Sequence, residues 1–283
     1  MDVLKTKQEE YAVSMLQMLK EEKGSRILDF AEKAVITGAN TYNFYRVSES
    51  QVGGNDINMY DPAYTGNGGK AEKLTATIEY VYASDKIKTS DLNSTSLDLG
   101  STFLKSLRDA LDRAVTKKVL DAIKAKTADL KKAGDANETI DSDVNVNNLI
   151  EQAVYCSTLV KDTSVSEGRL GVALIVDAVQ HSKLFRAEKI TNNNWSQSNK
   201  YMAGTLFGCD VVKVAQGAKD KDKLYLIPAG TYGAASWEND IEAKSEYSFA
   251  QDALFCRCKR SLGVVVIEPE SIVEFSHKDP TVA

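Results

Sequence analysis

The chain has 283 residues, of which 43% are hydrophobic, 8% aromatic and 27% charged, a balance typical of a soluble globular protein that excludes extensive disorder. Its formal net charge of −5 argues against a free-standing nucleic-acid-binding protein, which is usually basic. No apolar run reaches the roughly 18–20 residues of a membrane span, and the N-terminus lacks the apolar core of a signal peptide, so we expect a cytoplasmic origin and no membrane partner.

Four cysteines are present, and a cytosolic chain of this size has no need of a disulfide framework. Cys256 and Cys258 stand two residues apart in a strand-like stretch, so their side chains share one face about 6.6–7 Å apart. That separation is at the limit of disulfide geometry. We therefore predict small buried thiols rather than a bridge, and the same for Cys156 and Cys209.

The first 23 residues have the apolar spacing of an amphipathic helix. Ala12, Met15, Leu16 and Leu19 recur along one face of residues 2–23, and Gly24 is a plausible stop. The opposite face is heavily charged. The helix either packs on its own domain or forms an arm that packs on a neighbouring subunit, and the sequence favours neither alternative.

The amino-acid composition changes over residues 40–70, where glycine, asparagine, serine and tyrosine are frequent and aliphatic residues are few. The flanking stretches, 41–47 and 74–82, are predicted strands, the second with clean alternation. Together they predict a long two-stranded projection with a polar, glycine-rich tip. An isolated hairpin is only marginally stable in water, so this projection needs a surface to lie on, which could belong to another subunit.

Residues 95–127 form the strongest predicted helix, about 50 Å long at 1.5 Å per residue. One side is apolar throughout, so we expect the helix to lie across a sheet. The apolar stripe comprises Phe103, Leu104, Leu107, Leu111, Ala114, Val115, Val119, Ala122 and Ile123.

The remainder mixes both kinds of element. Pairing the strands near 74–82 with those in 247–275 would create a discontinuous domain, with 147–245 as an insertion. The predicted elements are a helix over 148–161, a buried strand over 171–176, a short helix over 178–184, a loop over 188–203, strands over 204–214 and 223–227 joined by a solvated turn at 219–223, and strands over 247–267 and 271–275.

The sequence contains no strong motif for catalysis, cofactor binding or metal binding. With only His181 and His277, and no C-x-x-C pair, a histidine-rich metal site is impossible. The hydrolase elbow G-x-S-x-G is missing, and residues 66–71 lack the spacing of a phosphate-binding loop. We predict no enzyme activity, no catalytic residue, no cofactor and no metal ligand.

One stretch resembles the start of a calcium-binding loop, at Asp141, Asp143 and Asn145. Its sixth position is Val146, where glycine is needed, and its twelfth is Gln152, where a bidentate glutamate is expected. Helix capping by Asn145 or Asn147 explains the same residues more simply.

Three stretches resemble the major capsid proteins of tailed bacteriophages, which have the Hong Kong 97-type fold. LGSTFLKSLRDALD at 99–112, with 119–123, resembles the spine helix of that family. GTLFGCDVVKV at 204–214 resembles its strand after a core glycine, and QDALFCRCKR at 251–260, leading to GVVVIEP at 263–269, resembles its peripheral strands. The order of elements matches over about residues 40–275.

The resemblance implies an α+β chain with a long spine helix, an extended-loop hairpin, and peripheral and axial domains. It implies an N-terminal arm over 1–39, an extended loop with flanking strands over 40–90, and a peripheral domain with the spine helix over 91–146. The axial domain would cover 147–245, and the chain would return to the peripheral domain over 246–283. Candidate subunit-interface residues in the extended loop are Gly53, Gly54, Tyr60, Tyr64, Gly66 and Lys70.

The function implied by this resemblance is self-assembly, as pentamers and hexamers, into an icosahedral shell around double-stranded DNA. Further partners would be scaffold, portal or decoration proteins, with the DNA contacted non-specifically. Such a protein would assemble in the host cytoplasm and reside in the virion. Three alternatives stay open: an encapsulin-type nanocompartment shell protein, a phage tail or head-completion protein, and a cytosolic α+β enzyme.

Overall fold

A computed structural model describes residues 26–47, 71–88, 99–159, 171–186, 205–206, 209–215, 218–238, 241–248 and 250–279. The predicted N-terminal helix over 2–23 and the predicted loop over 188–203 lie outside these residues. The elements are β1 (Glu32–Ile36), β2 (Thr41–Val47), β3 (Ala71–Thr77), β4 (Glu79–Lys88), α1 (Leu99–Lys124), β5 (Lys131–Ala133), α2 (Asp143–Leu159), β6 (Val172–Val176), α3 (Ala178–Arg186), β7 (Thr205–Leu206), β8 (Cys209–Lys213), β9 (Lys223–Pro228), β10 (Tyr232–Trp237), β11 (Ile241–Ser248), β12 (Ala253–Val266) and β13 (Val273–Ser276).

The long strand β12 organises a five-stranded sheet. Its first ten residues pair with β4 on one edge, and most of the same residues pair with β11 on the other. Its last four residues pair with β10, which in turn pairs in parallel with β1. The pairing of β4 with β12 joins parts of the chain more than 160 residues apart, and it confirms the pairing considered in the sequence between the strands near 74–82 and those in 247–275.

Helix α1 lies across this sheet, as its apolar stripe predicts. Leu107 and Leu111 pack against Leu254, Cys256 and Cys258 of β12. The later part of the stripe enters the main core together with the 3₁₀ turn Arg26–Phe30 and strands of both sheets. Burial of a Leu-sized side chain contributes about 1.5–3 kcal/mol, so this contact fixes the helix on the sheet. Among the described side chains of α1, the buried aliphatic ones are those of Leu107, Leu111, Val115, Val119, Leu120 and Ile123, and all except Leu120 belong to the predicted stripe.

The second sheet has six strands in the order β5-β13-β9-β6-β8-β7. Its strand β6 is buried along its whole length, which confirms the buried strand predicted at 171–176. Leu149, Ala153 and Cys156 of α2 cover one face of this sheet. The opposite face contacts α1 and the 3₁₀ turn Arg26–Phe30, so the two sheets share one continuous core around the C-terminal half of α1. No described helix is long and apolar enough to cross a membrane.

The two sheets do not divide the chain at residues 147 and 245. Strand β10 and the first part of β11 lie within 147–245, the range that the resemblance assigns to the axial domain. Both strands belong to the five-stranded sheet. Strand β13, near the C-terminus, and β5, before α2, both belong to the six-stranded sheet. Each sheet is therefore completed by strands from sequence regions that the resemblance assigns to the other domain.

Strands β2 and β3 form an antiparallel hairpin in register from Thr41–Thr77 to Val47–Ala71. Its base packs on the five-stranded sheet, where Phe44 and Ala76 join Ala235 and Ile267 in a small core. The ring of Phe44 lies over Gly233, so closely that a Cβ atom there would be 2.5 Å from Phe44 Cζ. The absence of a side chain at Gly233 therefore lets the hairpin lie against β10.

The turn KDKDK at 219–223 was predicted to be solvated, and for its first residue this is wrong. Lys219 is buried, whereas Asp220, Lys221 and Asp222 are exposed. The Lys219 Nζ donates to the carbonyl oxygen of Lys223 at 2.6 Å. Its long side chain turns inward, where backbone and side-chain oxygens replace water.

The predicted capping role of Asn145 or Asn147 is also wrong, because α2 begins at Asp143, earlier than expected. Ser142 caps it, since its Oγ accepts the backbone N–H of Asn145 at 3.3 Å. The Asn145 side chain is buried and instead organises the preceding loop, donating to carbonyl oxygens of Asp135, Glu138 and Thr139.

The packing of Phe44 on Gly233 makes a direct prediction. Gly233→Ala should lower the free energy of unfolding by about 1–3 kcal/mol, because a buried ring must move to admit the methyl group. Urea denaturation measures this. Gly171→Ala is the matched control, since a Cβ there meets open space, and it should be neutral or stabilising by about 0.4–1 kcal/mol. Equal stabilities for the two variants would contradict the packing of the hairpin base.

Candidate assembly surfaces

The hairpin base is held to the body of the protein at several points. The backbone N–H of Ile78 donates to the carbonyl oxygen of Asn40 at 2.8 Å, where the two strands leave the sheet. Farther out, the Arg46 guanidinium forms an ion pair with Glu270, next to the last strand. Tyr45, on the opposite face from Phe44, is 61% exposed. One face of the hairpin is therefore anchored to the body of the protein, and the other is exposed.

The six interface candidates from the sequence, Gly53 to Lys70, all lie outside the described residues. Their placement relative to one another therefore stays a prediction. The structure does locate the two ends of the segment that carries them. Val47 and Ala71 are directly opposite in the hairpin register, about 20 Å from Thr41 at the base, over six steps of about 3.3 Å each. The segment 48–70 thus starts and finishes at the far end of the hairpin.

A second surface, which the sequence analysis missed, is the face of the five-stranded sheet turned away from α1. We call it the open face. Strand alternation and register place on it alternate residues of three neighbouring strands. The signal was available, because polar and aromatic residues occupy every second position of β4. The open face comprises Tyr80, Tyr82, Ser84, Lys86 and Lys88 of β4, Phe255, Arg257 and Lys259 of β12, and Glu242, Lys244 and Glu246 of β11.

Cations lie on aromatic rings across the open face. The Arg257 guanidinium is 4.7 Å from the centroid of the Tyr82 ring, and Lys259 Nζ is 4.0 Å from that of Tyr80. Glu242 accepts hydrogen bonds from Lys244 and Lys259, at 2.7 and 2.6 Å. These two hydrogen bonds lower the pKa of Glu242 to about 2, so it stays ionised over the whole physiological range.

A buried polar cluster centred on Gln180 joins three separate parts of the six-stranded half. Gln180 follows the N-cap residue Asp177, whose Oδ1 accepts the backbone N–H groups of Val179 and Gln180. The Gln180 amide nitrogen donates to the carbonyl oxygen of Lys223 at 3.0 Å, and its oxygen accepts from Lys219. Burial lowers the pKa of Lys219 to about 8, and the neighbouring carboxylate of Asp177 partly offsets this.

His277 completes the cluster from the segment after β13. Its Nδ1 lies 2.8 Å from the carbonyl oxygen of Lys278, so Nδ1 carries the proton. Its Nε2 lies 2.7 Å from the Gln180 amide nitrogen and accepts from it. A second proton on the ring would set two donors against each other, and burial lowers the pKa of His277. The neutral ring is therefore the form that fits.

The described residues contain no candidate metal site. No group of three or more histidine, cysteine, aspartate or glutamate side chains could hold a metal ion within this part of the chain. The four cysteines are free and buried, which confirms the predicted thiols, and burial raises the pKa of each. A raised pKa leaves little reactive thiolate.

Comparison with known proteins is informative at the level of structure only. No family model and no curated protein matches the sequence. The capsid of cyanophage P-SCSP1u superimposes with a TM-score of 0.61 and 14% identity, over 91% of this chain and 89% of that chain. The virus-like particle from Pyrococcus furiosus gives 0.61 and 13%, over 94% and 98%, and Microbacterium phage Oxtober96 gives 0.61 and 12%, over 91% and 92%.

The chain has the Hong Kong 97-type capsid fold. The match includes both sheets and the long helix, since it covers nine-tenths of the chain. It confirms the α+β fold class and the resemblance drawn from the sequence. The matched chains come from capsids and capsid-like particles, whose subunits are structural proteins rather than enzymes.

The Gln180 cluster makes the stability of this fold depend on pH. The folded-state pKa of His277 lies below its ordinary value of 6.5, so below about pH 6.5 the unfolded chain binds a proton that the folded chain does not. The free energy of unfolding should therefore decrease as the pH falls from 7 to 5, with a limiting slope of about 1.4 kcal/mol per pH unit for one proton. Urea denaturation at several pH values measures the slope.

The control for this prediction is His277→Gln, which retains a polar side chain without a titrating ring. Its stability should fall less steeply than that of the wild type between pH 7 and 5, even if it is lower at pH 7. Identical slopes for the two proteins would show that His277 does not titrate differently in the folded and unfolded states.

Proposed function

We propose that this chain is the major capsid protein of a tailed bacteriophage, which self-assembles into an icosahedral shell around double-stranded DNA. The observation that carries the proposal is the extent of the structural match, which covers most of this chain and most of the capsid subunits. A match over whole subunits supports a shell protein of similar construction, rather than an unrelated protein that shares one domain.

The proposal assigns a role to each part of the molecule. The five-stranded sheet with α1 is the peripheral domain, and the six-stranded sheet with α2 is the axial domain, which meets its copies around five-fold and six-fold axes. Both domains are discontinuous in sequence, because β13 and β5 join the axial sheet while β10 and β11 join the peripheral one. Within residues 1–39, the N-terminal part serves as an arm. The C-terminal part contributes the edge strand β1, which pairs with β10.

The segment 48–70 is the part proposed to reach an adjacent subunit. Its candidate contact residues are Gly53, Gly54, Tyr60, Tyr64, Gly66 and Lys70. Support comes from the anchored base of the hairpin, since Phe44 and Arg46 hold it to the body through Gly233 and Glu270. A projection whose base is fixed delivers its tip to a defined position, and closed rings require defined angles between subunits.

Partners and location follow from the same proposal. The subunits form pentamers and hexamers, contact scaffold, portal or decoration proteins, and meet the packaged DNA without sequence preference. Assembly takes place in the host cytoplasm, and the assembled protein resides in the virion.

An encapsulin-type nanocompartment shell is the second candidate. Its support is that the chain matches a virus-like particle as well as it matches phage capsids: it covers 98% of the chain of the particle from Pyrococcus furiosus, at the same TM-score of 0.61. A shell that co-purifies with an enzyme cargo instead of DNA would decide for this candidate. Neither candidate requires a catalytic residue in the shell subunit.

Shortening the hairpin tests the role of the segment 48–70. Because Val47 and Ala71 are directly opposite, a two-residue Asn-Gly turn can replace residues 48–70 and close the hairpin. This variant should fold but fail to form closed shells, since the contact to the next subunit is removed. Light scattering and electron microscopy measure assembly, and circular dichroism measures folding.

The matched control keeps residues 48–70 and carries Lys221→Gln, a change at an exposed position far from the hairpin in sequence. It should assemble like the wild type. Normal shells from the shortened variant would contradict the assignment of 48–70 as the extended loop.

A further inference from the structure

The open face carries positive charge on an acidic protein. It holds five basic and two acidic side chains, a net charge of +3, whereas the whole chain has a formal net charge of −5. Lys86, Lys88, Lys244 and Arg257 are exposed. Charge of one sign gathered on one surface is an electrostatic footprint for a partner of opposite sign.

The register also places two like charges side by side. Lys244 of β11 is directly opposite Arg257 of β12, and like charges at opposed positions destabilise a sheet. The acidic neighbour Glu242 already accepts hydrogen bonds from Lys244 and Lys259. This arrangement costs stability in the isolated subunit, and an anion held between the two strands would remove that cost.

The aromatic residues fix the positions of the cations. Arg257 lies over Tyr82, and Lys259 over Tyr80, so these charges are held on the face rather than extended into solvent. Residues 257 and 259 are about 6.6–7 Å apart along β12. Across the strands, the backbone of Lys244 lies about 4.8 Å from that of Arg257, which it pairs with. The cations therefore stand in rows on the surface of the sheet.

We propose that the open face contacts the phosphate backbone of double-stranded DNA, with Lys86, Lys244 and Arg257 as the main contacts. The inference rests on the proposed function, because an enclosed genome supplies the phosphates. Cations in rows on a sheet surface fit a regular line of phosphates, and contacts to phosphates position nucleic acid without reading its sequence. The overall negative charge of the chain keeps the contact weak and sensitive to salt.

The experiment uses the full-length chain and a fluorescein-labelled random-sequence DNA duplex, with anisotropy measured over a range of salt concentrations. The open-face variant combines Lys86→Gln, Lys244→Gln and Arg257→Gln. The control variant combines Lys105→Gln, Arg113→Gln and Lys117→Gln, which removes the same charge from the exposed side of α1. Electron microscopy of both variants reports shell formation separately.

The open-face variant should bind DNA at least about tenfold more weakly at low salt, and the slope of log K against log salt should fall by about 2–3, near 0.9 for each lost phosphate contact. The control should stay within about twofold of the wild type, because its charges lie on another surface. Unchanged stability of both variants in urea would show that folding is intact. The single variant Lys244→Arg, which retains the charge, should bind DNA like the wild type.

Three results would overturn the inference. Equal loss of DNA binding by both variants would mean that only net charge matters. Wild-type binding by the open-face variant would place the DNA contact elsewhere. Tighter binding of poly-L-glutamate than of DNA at equal charge concentration would assign the face to an acidic polypeptide. In each case normal shells would leave the proposed function standing, whereas failure of the wild type to form shells would count against the proposed function alone.

Discussion

Strand β12 is the element on which the rest of the structure depends. It pairs along both edges, with β4 on one side and with β11 and then β10 on the other. One of its faces receives α1 through Leu254, Cys256 and Cys258. Because β4 continues directly from the hairpin strand β3, the pairing of β4 with β12 also sets the direction in which the hairpin leaves the body. The spine helix, the hairpin and the sheet are therefore fixed by one strand.

Apolar packing and charged side chains join the five-stranded half of the molecule to the six-stranded half. The C-terminal end of α1 packs into the core shared by both sheets, and Lys124 forms an ion pair with Asp220 of the six-stranded half at 3.0 Å. The Gln180 cluster then ties the 218–223 loop to α3 and to the C-terminal segment. Apolar packing at α1 holds the two halves together, and the buried hydrogen bonds fix the loop positions.

Elements with strong local patterns could be predicted from the sequence. Strand β2 has the predicted bounds, since alternation and the flanking turn residues define it locally. Helix α1 and the buried strand β6 were also predicted, the first by its long apolar stripe and the second by five consecutive apolar residues. The predicted pairing of β4 with β12 followed from the need of each strand for a partner, not from a local signal.

Other features depend on contacts between distant parts of the chain, which a local pattern does not contain. Lys219 is buried because Gln180 and the carbonyl oxygen of Lys223 surround it, although its neighbours in sequence predict a solvated turn. The sheet membership of β13 depends on its pairing with β9. Among the candidate assembly surfaces, the hairpin had a clear compositional signal. The alternation within β4 indicates one polar strand face, but the open face as a whole follows only from the register of three strands.

Electron microscopy of the purified full-length protein, with light scattering on the same sample, tests the central claim most directly. The account predicts closed icosahedral shells tens of nanometres wide, composed of this chain alone or together with co-expressed phage head proteins. A monodisperse 31.0 kDa species under all these conditions would contradict it.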